Sequence, residues 1–337
     1  MRAAVVEQPG VLKIKEVETP KINSRQILIK IQVASICNAT DNHILHGIFE
    51  GYHDFYPQIL GHELSGEVVD IGSEVANFKL GDIIVMYSPN GAFCEYVAID
   101  SDWPLLAKVP ESTPLRVRSL SEMFHGAYVQ AIYPAQIKSN ETVLIVGLGP
   151  MGLTAAVTAK LTAGKVIGVD LNEIRVQKAL ELGIDAAFNR SEMTSDEIVE
   201  AVKKANDGKE ADVVVMCISE DRSAELDAFD MAVNALKRRG RMTGLVVDVK
   251  DIGKNHRVDP HQLIKKEATF AHTLNQRGGA GQDEHKIFQD AVNMVAEGKI
   301  NFDSFITHEV DLDGLPEVLD LCINKMNEVI KVVVYPN

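Results

Sequence analysis

Two stretches of the chain carry residue types at spacings that can do chemistry. In Glu141–Gly152 (ETVLIVGLGPMG) an apolar run leads straight into the spacing Gly-x-Gly-x-x-Gly. A glycine at 147 permits the tight turn, one at 149 lets the backbone approach a pyrophosphate, and one at 152 lets a helix pack closely on the strand. Pro150 suits a first helical turn, whose free N–H groups and dipole hold phosphate, and Leu148 and Met151 fill the loop between the glycines. Such a fingerprint calls for an acidic residue about 20 positions on, and Asp170 closes the run VIGVD there. Its carboxylate would bind ribose hydroxyls and repel a 2′-phosphate, and Leu171 and Asn172 supply no cation, so NAD is favoured over NADP. Arg175 weighs against this because it can turn towards a 2′-phosphate, although packing on adenine is its simpler role. The second stretch is Ser35–Gly47 (SICNATDNHILHG), where an apolar run ends on Cys37 and Asp41, His43 and His46 follow. His62 and Glu63 stand adjacent further on. Thiol, imidazole and carboxylate are all zinc donors, but a single cysteine or histidine is as readily a packed core residue. On the residues alone, both stay open.

The elements that must position these residues change character along the chain. Up to about residue 120 the sequence reads as short strands: Ile27, Ile29, Ile31 and Val33 alternate with Leu28, Lys30, Gln32 and Ala34, and strand-like runs follow at 64–71, 81–86 and 95–99. Pro9-Gly10, Gly72-Ser73 and Pro89-Asn90-Gly91 punctuate them as turns. From about residue 122 apolar strands alternate with helix-length segments, the pattern of βαβ units and a parallel sheet. The strands expected there are 142–146, 166–169, 212–218, 241–247 and 268–272. Helices at 283–297 and 315–325 and a strand at 331–335 close the chain, and that strand can return to the first domain. The domains expected are 1–122 with 276–337, and 123–275.

Composition narrows the class. Apolar residues make up 46% of the 337, which suits a two-domain globular protein, and 48 acidic against 34 scattered basic residues disfavour nucleic acid and anionic lipid as partners. The N-terminal MRAAVVEQPG has an apolar run of only four residues before Glu7, and no run approaches the roughly 18 that span a bilayer. A cytoplasmic protein is expected. The four cysteines, at 37, 94, 217 and 322, show no CxxC pair and no disulfide framework. Cys217 and Cys322 read as small core residues.

Taken together, SICNATD, Gly61–Gly72 (GHELSGEVVDIG), Asn77–Asp82 (NFKLGD), the glycine fingerprint and Ile330–Val334 (IKVVV) resemble the zinc-dependent medium-chain alcohol/polyol dehydrogenases, most nearly their sorbitol dehydrogenase-like branch. The resemblance covers nearly the whole chain. It implies an α/β fold, a Rossmann doubly wound parallel sheet plus a mostly β GroES-like catalytic domain. It also implies one catalytic zinc, held by the cysteine after the early strand, the histidine of GHE and a third ligand at the helix linking the domains. Matched residue by residue these are Cys37, His62 and, in Ser119–His125 (SLSEMFH), Glu122. Such a set leaves the fourth tetrahedral position open for substrate. Glu63 is then an outer-shell group or an exchangeable ligand. His125 can line the site, replace Glu122 or simply pack, while His46 and His53 read as exposed.

Two departures from the family pattern stand out. The lobe that carries a second, structural zinc on four cysteines is missing, because Gly81–Val85 runs on to a single Cys94, which reads as packing. The family also places serine or threonine two positions after the cysteine ligand and then aspartate, to pass the substrate proton outward. Here that position is Ala39, and Thr40-Asp41 is displaced by one residue. If the loop bulges around Asn38, Thr40 keeps the relay, Asp41 buttresses His62 and His43 finishes the path to solvent. The alternative is that Thr40 only caps a turn.

The activity implied is hydride transfer between a secondary alcohol (polyol, sugar or cyclitol-like) and NAD, assisted by zinc as a Lewis acid. Its partners would be a small alcohol or ketone and further copies of the chain, as dimer or tetramer. Two rivals keep the fold: a zinc-free NADPH-dependent enone or quinone reductase, and a non-catalytic nucleotide-binding protein.

Overall fold

The computed structural model describes residues 1–48, 55–218, 225–244, 260–271, 284–325 and 328–337. The chain divides into two compact units, Met1–His125 with Gln282–Asn337, and Gly126–Gly281. Its first leg is β-rich. β1 (Arg2–Gln8) and β2 (Val11–Glu16) form a hairpin that turns at Gly10, whose φ of +76° suits a residue without a side chain. β3 (Gln26–Ser35) is the spine of the unit, with Ile27, Ile29, Ile31 and Val33 fully buried on one alternating face. Burying each of these side chains contributes about 1.5–3 kcal/mol. The helix α1 (Thr40–His46) follows, then β4 (Gln58–Ile59), β5 (Glu63–Ile71), β6 (Ile83–Tyr87), β7 (Tyr96–Asp100) and β8 (Leu106–Lys108). α2 (Leu115–Arg118) and α3 (Leu120–Ala127) end this leg. The unit boundary falls inside α3, because Phe124 packs edge-on against Phe302 and His125 against Phe288, which hold its first two turns to the first unit.

The second unit is wound from parallel strands: β9 (Thr142–Val146), β10 (Lys165–Asp170), β11 (Ala186–Asn189), β12 (Ala211–Met216), β13 (Leu236–Gly244) and β14 (Thr269–Phe270). Their order in the sheet is β11-β10-β9-β12-β13-β14, every neighbouring pair being parallel. That is the 3-2-1-4-5-6 order of the Rossmann fold. Strands covered on both faces need no polar alternation, and Val143 to Val146 are all buried. The crossovers carry α4 (Pro150–Lys160), α5 (Glu173–Glu181), α6 (Ser195–Ala205), α7 (Glu225–Ala235) and α8 (Pro260–Lys266). α6 starts on a capping box between Thr194 and Glu197. β11 is an element the alternation of apolar residues does not announce: only four residues long and half-buried throughout, it sits at the sheet edge.

The chain then returns to the first unit through α9 (Glu284–Ala296), β15 (Ile306–Asp311), α10 (Leu315–Asn324) and β16 (Lys331–Tyr335). β16 runs antiparallel to β3, pairing Val333 with Ser35 and Val334 with Ala34. The sheet order β15-β16-β3-β5-β6-β8, with β7 also paired to β3, joins strands from both ends of the chain. No helix among the described residues is long and apolar enough to cross a membrane.

Candidate metal centre and dinucleotide loop

The metal centre grows out of one strand register. Ser35 at the end of β3 pairs with Glu63 at the start of β5, so Cys37 and His62 both lie just past paired strand ends. One donor atom each from Cys37, His62 and Glu63 lie within 4.8 Å of one another, the metal-ligand cluster found among the described residues. Ligand atoms around a tetrahedral zinc with bonds of about 2.0–2.3 Å stand about 3.3–3.8 Å apart, so a sulfur, a ring nitrogen and a carboxylate oxygen this close fit the ion.

Asp41 organises the cluster from behind. The Cys37 amide donates to its Oδ2 at 2.9 Å, and its Oδ1 stands 3.2 Å from Nδ1 of His62, a charge contact off ideal hydrogen-bond alignment. Asp41 is fully buried. With Nδ1 turned to a carboxylate, Nε2 is the nitrogen left for a metal. Burial opposes charge on His62, but Asp41 and then Cys37 outweigh it and hold its pKa well above the usual value.

Glu63 is buried and accepts from Lys331 Nζ at 2.6 Å and from the Ser35 hydroxyl. Lys331 also donates to the Ile36 carbonyl at 2.8 Å. Burial works against this ammonium, yet the Glu63 carboxylate keeps its pKa raised. Neither Lys331 nor Ser35 was singled out from sequence, though a lysine inside the apolar run IKVVVY was the available signal.

Glu122 is buried in α3 but contributes no atom to the cluster of three. Burial first, and the Glu63 carboxylate second, push its pKa up to about 7 against the pull of His62 and Lys331, so it feels the same charges. His125 is buried edge-on against Phe288, and burial drives its pKa down to about 4. It packs as a neutral ring.

The segment after Cys37, read from sequence as a loop, is the helix α1. Thr40 is its half-buried first residue and Ala39 holds the N-cap position, with no side-chain cap. His43 is buried and His46 exposed, while His53 lies outside the described residues. Cys94 is buried, bridges to Ala3 and gives its thiol to the Tyr96 carbonyl at 3.3 Å. Burial raises its pKa to about 12.

In the second unit the three glycines have separable causes. Gly147 has φ +93°, and a Cβ there would lie 2.4 Å from the Cys217 carbonyl oxygen. At Gly152 a Cβ would fall 1.8 Å from the Gly147 oxygen, so a side chain would push α4 off the strand. At Gly149 the nearest atom to a Cβ would be Arg175 Nη1, an ordinary 3.6 Å away. The protein itself has room for a side chain there, so the requirement for glycine comes from whatever approaches the loop, as a pyrophosphate does.

Pro150 opens α4 with Gly149 as N-cap, Leu148 is buried and Met151 half-buried. Asp170, buried at the end of β10, accepts from the Leu148 amide at 2.5 Å and the Asn172 amide at 2.8 Å. Arg175 Nη1 stands 3.9 Å from it. Cys217 lies just past β12 with its thiol turned inward, where burial raises its pKa to about 12, and its carbonyl forms the wall that Gly147 must clear. Cys322 is buried in α10.

Comparison with known proteins identifies the family of the chain. Residues 23–111 match the alcohol dehydrogenase GroES-like domain and residues 150–297 the zinc-binding dehydrogenase domain. The chain belongs to the zinc-dependent medium-chain dehydrogenases, and like them it is an enzyme. A sorbitol dehydrogenase from Bacillus subtilis is 24% identical to it, over 100% of this chain and 98% of that protein. A zinc-binding dehydrogenase from Sinorhizobium meliloti bound to NADP superposes with a TM-score of 0.83 at 24% identity, covering 99% of both chains. An alcohol dehydrogenase from Escherichia coli complexed with NADH does so at 0.83 and 22%, covering 100% of this chain and 99% of that one. A nicotinamide cofactor and zinc are thus the cofactors of this class.

Proposed function

We propose that this chain oxidises a secondary hydroxyl of a polyol, sugar or cyclitol with NAD, and reduces the matching ketone in reverse, using one zinc ion per chain. The observation that carries the reading is the mutual approach of Cys37, His62 and Glu63 within 4.8 Å. The resemblance to a sorbitol dehydrogenase along the full chain supports the substrate class.

Cys37 and His62 are two ligands. Geometry favours Glu63 as the third, because one of its carboxylate oxygens is taken by Lys331 and Ser35 and the other remains for the ion. Glu122, the third ligand that family matching suggests, then acts as a neighbouring carboxyl group. Bound zinc supplies a Lewis acid that makes a substrate hydroxyl easier to deprotonate. Asp41 fixes the His62 tautomer and the Cys37 amide. Thr40, half-buried at the start of α1, and the buried His43 carry the released proton outward. Gly147–Gly152 and the N-terminus of α4 hold the pyrophosphate, Asp170 takes the ribose hydroxyls, and Arg175 packs beside the loop. The Asp170 carboxylate is the reason to prefer NAD, since it disfavours a 2′-phosphate.

The test is metal analysis of purified protein combined with a screen for NAD reduction over polyols, sugars and simple secondary alcohols. About one zinc per chain and turnover on a polyol-type substrate are expected. Tight nucleotide binding with no zinc and no turnover would transfer the chain to the non-catalytic reading, and zinc-free reduction of enones by NADPH to the reductase reading.

A further inference from the structure

We infer that Lys331 is a positioning residue for the metal centre: one buried ammonium clamps Ile36, next to Cys37, and Glu63, next to His62, and so sets the spacing of the donor atoms. The inference rests on the ligand reading above.

Lys331 is 2% exposed. Its Nζ stands 2.8 Å from the Ile36 carbonyl and 2.6 Å from Glu63 Oε2, which places it between the two strand ends from which the donors emerge. Burying an ammonium is unfavourable unless it is paired and hydrogen-bonded. A lysine retained in an otherwise apolar strand of Val332, Val333 and Val334 is therefore poor as a packing element. Bonding to a backbone carbonyl and a carboxylate together makes it a spacer of defined length. The β16–β3 register, Val333 opposite Ser35, delivers it to this place, and Ser35 supplies a second donor to the same carboxylate. Both partners belong to segments that carry proposed ligands. Removing the clamp frees the Glu63 carboxylate to rotate and the Ile36-Cys37 peptide to shift, while Cys37 and His62 themselves remain.

The experiment measures Zn²⁺ affinity, by competition with a chromophoric chelator, and the absorption spectrum of the Co²⁺-loaded protein, for wild type, Lys331→Met and Lys331→Arg. Outer-shell partners of metal ligands are worth about 10–100-fold in affinity. Lys331→Met is expected to lose that much and to shift the cobalt bands, and Lys331→Arg to recover most of both. Wild-type affinity with an unchanged cobalt spectrum in Lys331→Met overturns the inference. Should that variant fail to fold, Lys331→Gln, which keeps a donor for Ile36 without the charge, takes its place, with the same loss expected and the same overturning result. A wild-type protein that takes up no zinc sinks the dehydrogenase reading, whereas wild-type uptake with an indifferent Lys331 sinks only the clamp.

Discussion

The dinucleotide loop and the metal centre solve the problem of placing functional groups in opposite ways. The loop is nearly contiguous: Gly147 to Gly152 and Asp170 lie at the ends of two adjacent parallel strands, β9 and β10, and each element comes with its own local reason for being there. The candidate metal centre draws on residues 37, 41, 62, 63 and 331, brought together by a sheet that pairs β3 with both β5 and β16. Local sites tolerate damage elsewhere in the fold, whereas assembled ones depend on every strand that contributes.

Mutations can press on that contrast, from large effects to small. Cys37→Ala should remove zinc and reduce turnover by well over 100-fold, given that even outer-shell partners cost about 10–100-fold, while leaving nucleotide affinity near wild type by calorimetry. A loss of nucleotide binding in this variant would break the division between the two regions. Gly152→Ala places a Cβ 1.8 Å from the Gly147 oxygen. It should destabilise the fold by about 1–3 kcal/mol of overpacking in urea titration, and nucleotide binding should fall with it. Gly149→Ala sharpens the point, because its Cβ meets nothing closer than 3.6 Å. It should unfold at the wild-type urea concentration, yet bind NAD at least several-fold more weakly. Asp170→Asn should narrow the preference for NAD over NADP by about tenfold in kcat/KM, roughly 1.4 kcal/mol.

The smallest effect concerns acid. Glu141 is partly desolvated, which raises its pKa, but Arg241 and the Lys138 amide outweigh burial and leave it below the usual carboxylate value. A folded-state pKa below the unfolded one adds stability that is present above about pH 4.5 and fades as pH falls through the depressed value. Glu141→Gln should thus cost about 1 kcal/mol at pH 7 and progressively less below about pH 4, as read from urea midpoints. A difference that persists unchanged into acid would show that the ion pair is not its source.

The same contrast decides what was legible in the sequence. The glycine fingerprint and its acid could be read directly because strand, turn and helix follow one another along the chain and the spacing of the glycines is itself the signal. Apolar runs such as Thr142–Val146 and Lys331–Tyr335 fall where strands are observed. β11 and α1 were not visible: β11 is a short half-buried edge strand, and α1 is a polar heptapeptide without a side-chain cap. At the metal centre, Cys37 and His62 stood out by type, but the choice among Glu63, Glu122 and His125 did not. That choice depends on strand register and on a lysine 268 positions from its carboxylate partner, neither of which leaves a periodic trace.

The pairing of β16 with β3 has a further consequence for biosynthesis. A ribosome delivers the chain from the N-terminus at about 5–20 residues per second, so the whole of Gly126–Gly281 emerges before Lys331 does. During that interval the Ala34–Ser35 end of β3 has no neighbour on its β16 side, and an unpaired strand edge is a template for wrong partners. Closure of that edge therefore waits for the C-terminal leg of the chain, whereas the second unit can complete its sheet as soon as its last strand is released.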